Sequence, residues 1–443
     1  MKMDTNEQRQ ENQQNKREER RKRRQRSQII AYTVVGILIL MLAVAIALAV
    51  SAITGRSSAQ QEQQNRLDDI IASEETITVP TEPTETVPEL TDEQKLDKII
   101  DEAIIQNMPL EDKVAGLFIT TPESITGVSA AVQAGDGTKD ALSKYPVGGI
   151  VYAAKNIQSA DQLKQMIDNT KLYTSYPLFI AIDGEGAGTD AVATAGLGTK
   201  TDSPETVGAS GDANNAYTAG TTVGSYLAEL GFNLDFAPAA DLKVVDGNAA
   251  GSSSYGTDAA TVASFVTSMQ TGLQEQKVTA AIGHFPGIGS TTQSTKDGMA
   301  STDRSAEDFR ANEFEVFQSC IDSSETKMIT VSNMAAPSLT GDNTPCSLSS
   351  AVVTDILRNE LNFRGVIVSG AMNQAAIANY YGADEAAVLA LRAGCDMIYA
   401  PENFETAYNG VLEAVQNGTI SEERVNDSLR RIYRIKYADK IEQ

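Results

Sequence analysis

The stretch Val278-Thr-Ala-Ala-Ile-Gly-His284 is an apolar run that ends on the only histidine of this 443-residue chain, directly before the turn-forming residues Phe285-Pro-Gly-Ile-Gly289. A short apolar run bounded by Gly and Pro is typical of a buried β-strand. We therefore predict that His284 lies at the carboxyl end of a strand. The sequence leaves two interpretations of its imidazole open, a hydrogen-bonded core or loop residue and a functional group.

Seven similar runs occur elsewhere, and each is apolar along its length rather than alternating. They cover residues 117–119, 149–152, 177–183, 233–238, 328–332, 365–369 and 397–400. Helical patterns separate the runs, for example at residues 161–173, 216–231, 258–276 and 349–361. Continuous apolar strands that alternate about eight times with helices predict an α/β fold, a (β/α)8 TIM-like barrel. Ligands of such barrels meet the carboxyl ends of the strands, where His284 is predicted to lie.

The amino-terminal part of the chain differs from the rest in charge. Residues 1–28 carry a net charge of +5, whereas the remaining 415 residues carry a net charge of −28. Residues 29–52 contain no charged side chain and, at about 1.5 Å per residue, are long enough to cross a ~30 Å hydrocarbon layer. The positive-inside bias then predicts a basic cytoplasmic tail at 1–28, one transmembrane helix at 29–54 and an extracytoplasmic remainder in the cell membrane. We prefer an uncleaved signal-anchor, although Ala49-Val-Ser-Ala52 leaves cleavage open.

Composition divides the rest of the chain into a linker and a domain. Residues 55–92 are rich in Gln, Ser, Thr, Glu and Pro, which predicts a disordered extracytoplasmic linker, and residues 93–443 are long enough for one large core. The acidic charge argues against nucleic acid as a partner. Cys320, Cys346 and Cys395 lack metal-ligand spacing and cannot form a complete disulfide framework, and we predict Cys395 to be a small buried residue. The sequence predicts neither a metal nor a cofactor.

Five motifs follow one another in a recognisable order. They are Pro177-Leu-Phe-Ile-Ala-Ile-Asp-Gly-Glu-Gly186, Leu230-Gly-Phe-Asn-Leu-Asp-Phe-Ala-Pro-Ala-Ala-Asp241, Gly283-His-Phe-Pro-Gly-Ile-Gly289, Asp303-Arg-Ser305 and Leu361-Asn-Phe-Arg-Gly-Val-Ile-Val-Ser369. The chain thereby resembles the N-terminal domain of glycoside hydrolase family 3, specifically its single-barrel β-N-acetylhexosaminidase branch. The resemblance extends over residues 108–437 and implies a TIM-like barrel and, for the family, a retaining glycosidase.

The chain departs from this family at the catalytic positions that the resemblance implies. The family's nucleophile, an Asp after the Ser that ends the seventh strand, corresponds to Gly370. Its acid/base, an Asp-x-His dyad in the loop after the fifth strand, corresponds to Ser294 and Lys296. A retaining glycosidase needs both a carboxylate nucleophile and a proton donor. The motifs are therefore degenerate, and we predict no catalytic residue at these positions.

The sugar-binding positions that the resemblance implies are altered in a similar way. Four basic residues of the family correspond to Gly283, Ile288, Gly188 and Ser253, so four donors of charge-assisted hydrogen bonds are absent. Matching residues remain at three positions, and these are our candidate ligand-binding residues for a sugar pocket: Asp183, Glu185 and His284. The alternative is that Asp183 and His284 hydrogen-bond the loops at the barrel mouth and that Glu185 caps a turn.

Three functions are compatible with the sequence. The favoured one is a membrane-anchored pseudoenzyme that binds an N-acetylglucosamine-containing glycan, such as a peptidoglycan fragment, or an envelope protein partner. The second is an active β-N-acetylhexosaminidase or related glycosidase that hydrolyses O-glycosyl bonds with a non-standard set drawn from Asp183, Glu185 and His284. The third is a structural module that binds a partner through an apolar patch outside the barrel. Two carboxylates about 5–9 Å apart across an open pocket would favour hydrolysis, and a single acid would oppose it.

Overall fold

The computed structural model describes residues 91–184, 190–323 and 325–438, and these form a nearly closed barrel of eight parallel strands. The strands are β1 Phe118–Thr120, β2 Gly149–Val151, β3 Phe179–Ile182, β4 Leu234–Asp235, β5 Thr279–Phe285, β6 Met328–Val331, β7 Val366–Val368 and β8 Ile398–Tyr399. Strands β1 to β7 pair in sequence order, and β8 pairs with β1. A single parallel bridge between Val368 and Met397 links β7 to β8. The predicted TIM-like barrel is therefore confirmed, and each of the eight predicted runs overlaps a strand.

Helices cover the outer face of the barrel. They are α1 Asp92–Ala103, α2 Leu110–Ala115, α3 Pro122–Thr126, α4 Asp136–Lys144, α5 Ala160–Tyr173, α6 Ala191–Thr194, α7 Pro204–Ala209, α8 Asn214–Leu230, α9 Ala259–Glu275, α10 Ala306–Ala311, α11 Glu313–Asp322, α12 Pro337–Thr340, α13 Ala351–Glu360 with π-type hydrogen bonding, α14 Ala375–Ala378, α15 Ala383–Ala393, α16 Phe404–Gln416 and α17 Glu422–Lys436. Short 3-10 turns lie at Ile105–Asn107, Ala154–Asn156, Gly251–Ser253 and Cys346–Leu348. The four helices predicted from periodicity are all present within two residues at each end.

Burial on both faces explains why the strands are continuously apolar. All residues of β3 and of β6 are buried, because their side chains point alternately into the barrel and against the helices. The helices pack closely where glycine permits it. A Cβ atom on Gly220 of α8 would overlap with the main chain of α9 at Met269, and one on Gly272 of α9 would overlap with Tyr217. These two positions thus require glycine for close packing of α8 on α9.

A buried carboxylate ties the last helix beneath the amino ends of the strands. Asp396, which precedes β8, is fully buried and accepts from Arg358 of α13 at 2.7 Å, from Arg431 of α17 at 3.0 Å and from Ser428 at 2.9 Å. Burial raises the pKa of Asp396, but the guanidinium groups of Arg358, Arg431 and Arg424 outweigh it and hold this pKa below its ordinary value. Asp396 is therefore a charged group in the core whose partners come from two helices.

The carboxyl end of α17 reaches the amino ends of β2 and β3. Lys436 Nζ donates to the carbonyl oxygen of Gly148 at 2.8 Å and lies 4.8 Å from the centre of the Phe179 ring of β3. Helix α1 then packs against α17 through ion pairs, of which Arg430 with Asp101 at 2.9 Å is one. Helix α17 thereby lies beneath the amino ends of β8 and β2, whereas a cleft lined by Leu178, Asn233, Val278 and Lys327 opens at the amino ends of β3 to β6. The carboxyl ends form the barrel mouth.

The predicted tail, transmembrane helix and most of the linker lie outside the described residues, and Asp92, the last residue of the predicted linker, already belongs to α1. In the described part of the chain, no helix combines the length and apolar character that a membrane span requires.

Cys320, Cys346 and Cys395 are free and buried, as predicted for Cys395.

We predict that Asp396→Asn lowers the free energy of unfolding by about 3–5 kcal/mol, because it removes the buried counter-charge of the partly buried Arg358 and Arg431. Urea denaturation of the parent and the variant measures this difference. Asp168→Asn is the matched control, since Asp168 forms an exposed pair with Lys164, and we expect a change below about 0.5 kcal/mol. A similar small change for Asp396→Asn would show that the buried charge does not stabilise the base.

We also predict a pH-dependent effect of Lys436→Met. Removal from water lowers the pKa of the Lys436 amine to about 7 in the folded protein, whereas the unfolded chain retains an ordinary value near 10.5. The unfolded state therefore binds the extra proton between these two values, and the parent gains stability relative to the variant as pH rises from 7 towards 10, by at most about 1.4 kcal/mol per pH unit. A difference in unfolding free energy that is constant between pH 6 and 9.5 would contradict this.

Candidate functional site

A cavity of about 150 Å³ opens at the carboxyl ends of the strands. Six consecutive strands each contribute a lining residue at or just beyond their end, namely Asp183, Phe236, His284, Ser332, Gly370 and Tyr399. The sequence-predicted residues Asp183 and His284 are thus brought to one cavity. Glu185, the third candidate, lies outside the described residues, as does Gly188.

A buried carboxylate fixes the orientation of His284. Asp241 has no exposed surface, and its Oδ2 lies 2.9 Å from His284 Nδ1, while its Oδ1 accepts from the main chain of Ile288 at 2.8 Å. An imidazole Nδ1–H that donates to a carboxylate leaves the Nε2 atom on the opposite side of the ring. The His284 side chain keeps 34% of its surface exposed and lines the cavity. Asp241 closes the quoted motif after the fourth strand, and sequence reasoning did not single it out.

A second buried acid lies behind Asp183. Asp235, at the end of β4, accepts from the main-chain N–H of Gly184 at 3.0 Å. Burial and then the negative charges of Asp190 and Asp183 raise the pKa of Asp235 well above its ordinary value. Asp190 in turn accepts from the Tyr226 hydroxyl and caps α6 through the main-chain N–H of Val192 at 2.8 Å. Among the described residues, Asp183 is the single carboxylate that lines the cavity.

The resemblance implies the family's nucleophile at Gly370, and the side chain of Asn333, from the neighbouring strand, occupies the space beside this glycine. A Cβ atom added to Gly370 would lie within 2.8 Å of the Oδ1, Cγ and Nδ2 atoms of Asn333, which follows β6. Asn333 is only 2% exposed, and three hydrogen bonds hold it in place. Its Oδ1 accepts from Ser347 Oγ at 2.6 Å, and its Nδ2 donates to the Ala371 carbonyl at 2.8 Å and to Gln374 Oε1 at 3.0 Å. No side chain fits at position 370 unless Asn333 moves.

Four of the other positions at which the sequence resemblance implies a departure from the family line the same cavity. Ser294 and Lys296 lie on the loop after β5 and line it, and the main-chain N–H of Lys296 donates to Ser294 Oγ at 3.2 Å. Gly283 also lines the cavity, but a Cβ atom there would overlap with Thr330 Oγ1. Ile288 lines it as an apolar residue, whereas Ser253 lies on a 3-10 turn and is not part of the lining.

An aromatic pair forms one wall of the cavity. The rings of Phe236 and Tyr399 are stacked, with their centres 4.4 Å apart and an interplanar angle of 27°. Burial and the charge of Asp183 raise the pKa of the Tyr399 hydroxyl, which keeps it protonated. Sequence reasoning missed both rings, as it missed Asn333 and Gln374, although Phe236 and Tyr399 lie within predicted strands and Asn333 directly follows one.

The described residues contain no group of three or more His, Cys, Asp or Glu side chains arranged to hold a metal ion. The chemistry available in the cavity is therefore that of one exposed carboxylate, one oriented imidazole, the Lys296 ammonium, and the hydroxyl and amide groups of neutral side chains. Such a lining hydrogen-bonds a polar ligand on several sides.

Known proteins share this architecture. The chain is 30% identical over 263 residues to a beta-hexosaminidase of Nitrosomonas eutropha, an alignment that covers 58% of this chain and 74% of that protein. It is 25% identical over 324 residues to beta-hexosaminidase A of Pseudoalteromonas piscicida, covering 67% of this chain and only 54% of that relative. Among solved structures, a glycoside hydrolase family 3 beta-N-acetylglucosaminidase from Paenibacillus sp. str. FPU-7 superposes with a TM-score of 0.69 at 29% identity, covering 76% of this chain and 64% of the other.

The family itself follows from the extent of the match to its sequence model. Residues 110–435, about three quarters of the chain, match the model described as the glycosyl hydrolase family 3 N terminal domain, and these residues contain the whole barrel from α2 to the last turn of α17. The chain therefore belongs to glycoside hydrolase family 3.

Proposed function

We propose that this protein is a membrane-anchored, extracytoplasmic member of its family that binds an N-acetylglucosamine-containing glycan, such as a peptidoglycan fragment, without hydrolysing it. The relatives whose names describe beta-hexosaminidases and a beta-N-acetylglucosaminidase support the class of ligand. The uncharged run at residues 29–52, which follows a basic cluster, supports the anchor. The same mouth surface is also available to an envelope protein partner.

The observation that carries the proposed loss of hydrolysis is the contact between Gly370 and Asn333. Retaining glycosidases place two carboxyl groups about 5–5.5 Å apart, one as nucleophile and one as acid/base. Here Asn333 fills the space beside Gly370, and Asp183 is the single carboxylate lining the described cavity. Loss of a covalent nucleophile in another enzyme class lowers turnover on the order of 10⁶-fold.

The proposed binding rests on the polar groups that remain. Asp183 accepts hydrogen bonds, His284 is oriented by Asp241, and the Phe236–Tyr399 pair offers an apolar face to a sugar ring. A volume of about 150 Å³ is below the ~300 Å³ at which drug-sized ligands begin to be enclosed, so it suits a single sugar residue.

Hydrolysis by a non-standard set is the competing function, because Asp183 and His284 face one cavity and Asp241 would support an imidazole acting as acid or base. Purified full-length protein, incubated with chromogenic β-N-acetylglucosaminide and β-glucoside substrates, distinguishes the two. We expect no turnover above background, with the Nitrosomonas eutropha relative assayed alongside as the positive control. Turnover at ordinary glycosidase rates that disappears in Asp183→Ala would overturn the proposed inactivity in favour of the competing function.

The packing at the nucleophile position gives a second prediction. Gly370→Ala forces its methyl group against Asn333, and we expect it to lower the free energy of unfolding by about 1–3 kcal/mol. In an Asn333→Ala background the space is open, so the same change should cost at least about 1 kcal/mol less. The double-mutant cycle is measured by urea denaturation, with Gly137→Ala as the control because a Cβ there meets no atom within 4 Å. Additive effects at 370 and 333 would contradict the steric account.

A further inference from the structure

We propose that Gln374 recognises the acyl group of the ligand by donating a hydrogen bond from its Nε2 atom to an amide carbonyl oxygen of an N-acylated sugar. This inference rests on the proposed glycan binding and names the residue that determines specificity for the acyl group at that site. Gln374 lies on the loop after β7, directly before α14, lines the cavity and is half-buried.

The orientation of two amide groups follows from one main-chain carbonyl. The Ala371 carbonyl oxygen can only accept, so the atom of Asn333 that lies 2.8 Å from it must be the Nδ2 donor. The Ser347 hydroxyl, 2.6 Å away, then donates to Asn333 Oδ1. Asn333 is nearly fully buried and Ser347 is fully buried, which holds this arrangement in place.

The second N–H of Asn333 determines how Gln374 is placed. Asn333 Nδ2 donates to Gln374 Oε1 at 3.0 Å, so the carbonyl side of the Gln374 carboxamide faces Asn333. The Nε2 atom lies on the other side of the same planar group, and no described residue accepts a hydrogen bond from it. Gln374 thus offers the cavity a donor whose direction is set before a ligand arrives, which lowers the entropic cost of binding.

The surroundings favour an amide carbonyl over a carboxylate as the acceptor. The negative charge of Asp183 and the positive charge of Lys296 both line the cavity, so its net charge does not select an anion, and the uncharged Gln374 amide is matched by an uncharged carbonyl. Met334 and Ala371 also line the cavity, one directly after Asn333 and the other on the Gln374 loop, and they supply apolar surface for an acyl methyl group. A neutral donor beside apolar surface matches an acetamido substituent better than a hydroxyl group.

N-acetylglucosamine and glucose test this assignment, because they differ only at the acetamido group. Their dissociation constants are measured by titration of full-length parent and variants. We expect the parent to bind N-acetylglucosamine about tenfold more tightly than glucose. Gln374→Leu, which keeps the size but removes the donor, should weaken N-acetylglucosamine binding about five- to tenfold and change glucose binding less than about twofold. Gln318→Leu is the control, since Gln318 pairs with Asp322 on the surface.

Gln374→Glu is the second variant, because its carboxylate still accepts from Asn333 while its other oxygen repels a carbonyl. We expect an unchanged melting temperature and at least tenfold weaker N-acetylglucosamine binding. The inference is overturned if Gln374→Leu weakens both sugars equally, which would be a structural effect, or if Gln374→Glu binds N-acetylglucosamine like the parent; glycan binding itself would stand in both cases. If the parent binds neither sugar, the proposed function fails, and the assignment of Gln374 fails with it.

Discussion

The position of the last helix under the barrel depends on the ion pairs of the buried Asp396 carboxylate. A charge without solvent requires partners, and here they come from helices α13 and α17, so satisfying one carboxylate brings two distant parts of the chain together. Helix α17 is thereby held beneath the amino end of β8, and Lys436 at its carboxyl end contacts the main chain just before β2. The carboxyl ends then carry the exposed polar chemistry.

The mouth has a layered construction in which buried groups orient the groups that face the cavity. Asp241 holds the imidazole of His284, Asp235 holds the main chain after Asp183, and Asn333 holds Gln374. Each of the three buried groups is at most 2% exposed. A rigid second layer of this kind fixes the direction of donors and acceptors without any ligand present, which is what selective binding of a polar molecule needs.

Gly370, at the position where the sequence resemblance implies the family's nucleophile, leaves room for a neighbouring side chain. With glycine at 370, the amide of Asn333 occupies the adjoining space and connects β6 to the loop after β7. The wall where a glycosidase would place a reacting oxygen is therefore closed by neutral hydrogen-bonding groups. Membership of a hydrolase family and the proposed role in binding are compatible, since the fold positions the pocket and the residues after the strands decide its chemistry.

The sequence by itself determined the barrel, because a parallel strand covered on both faces has to be apolar along its length, and eight such runs are visible without any structure. It also placed His284 and Asp183 at strand ends, which parallel strands bring to one edge. The tertiary structure alone decided which polar groups meet there. Asp241 and His284 are 43 residues apart, and Asn333 and Gln374 are 41 apart, and no local pattern relates the members of either pair. Their contacts arise only when the barrel closes. Many polar residues follow the strands, and the geometry of the closed barrel decides which of them come within hydrogen-bond distance of each other.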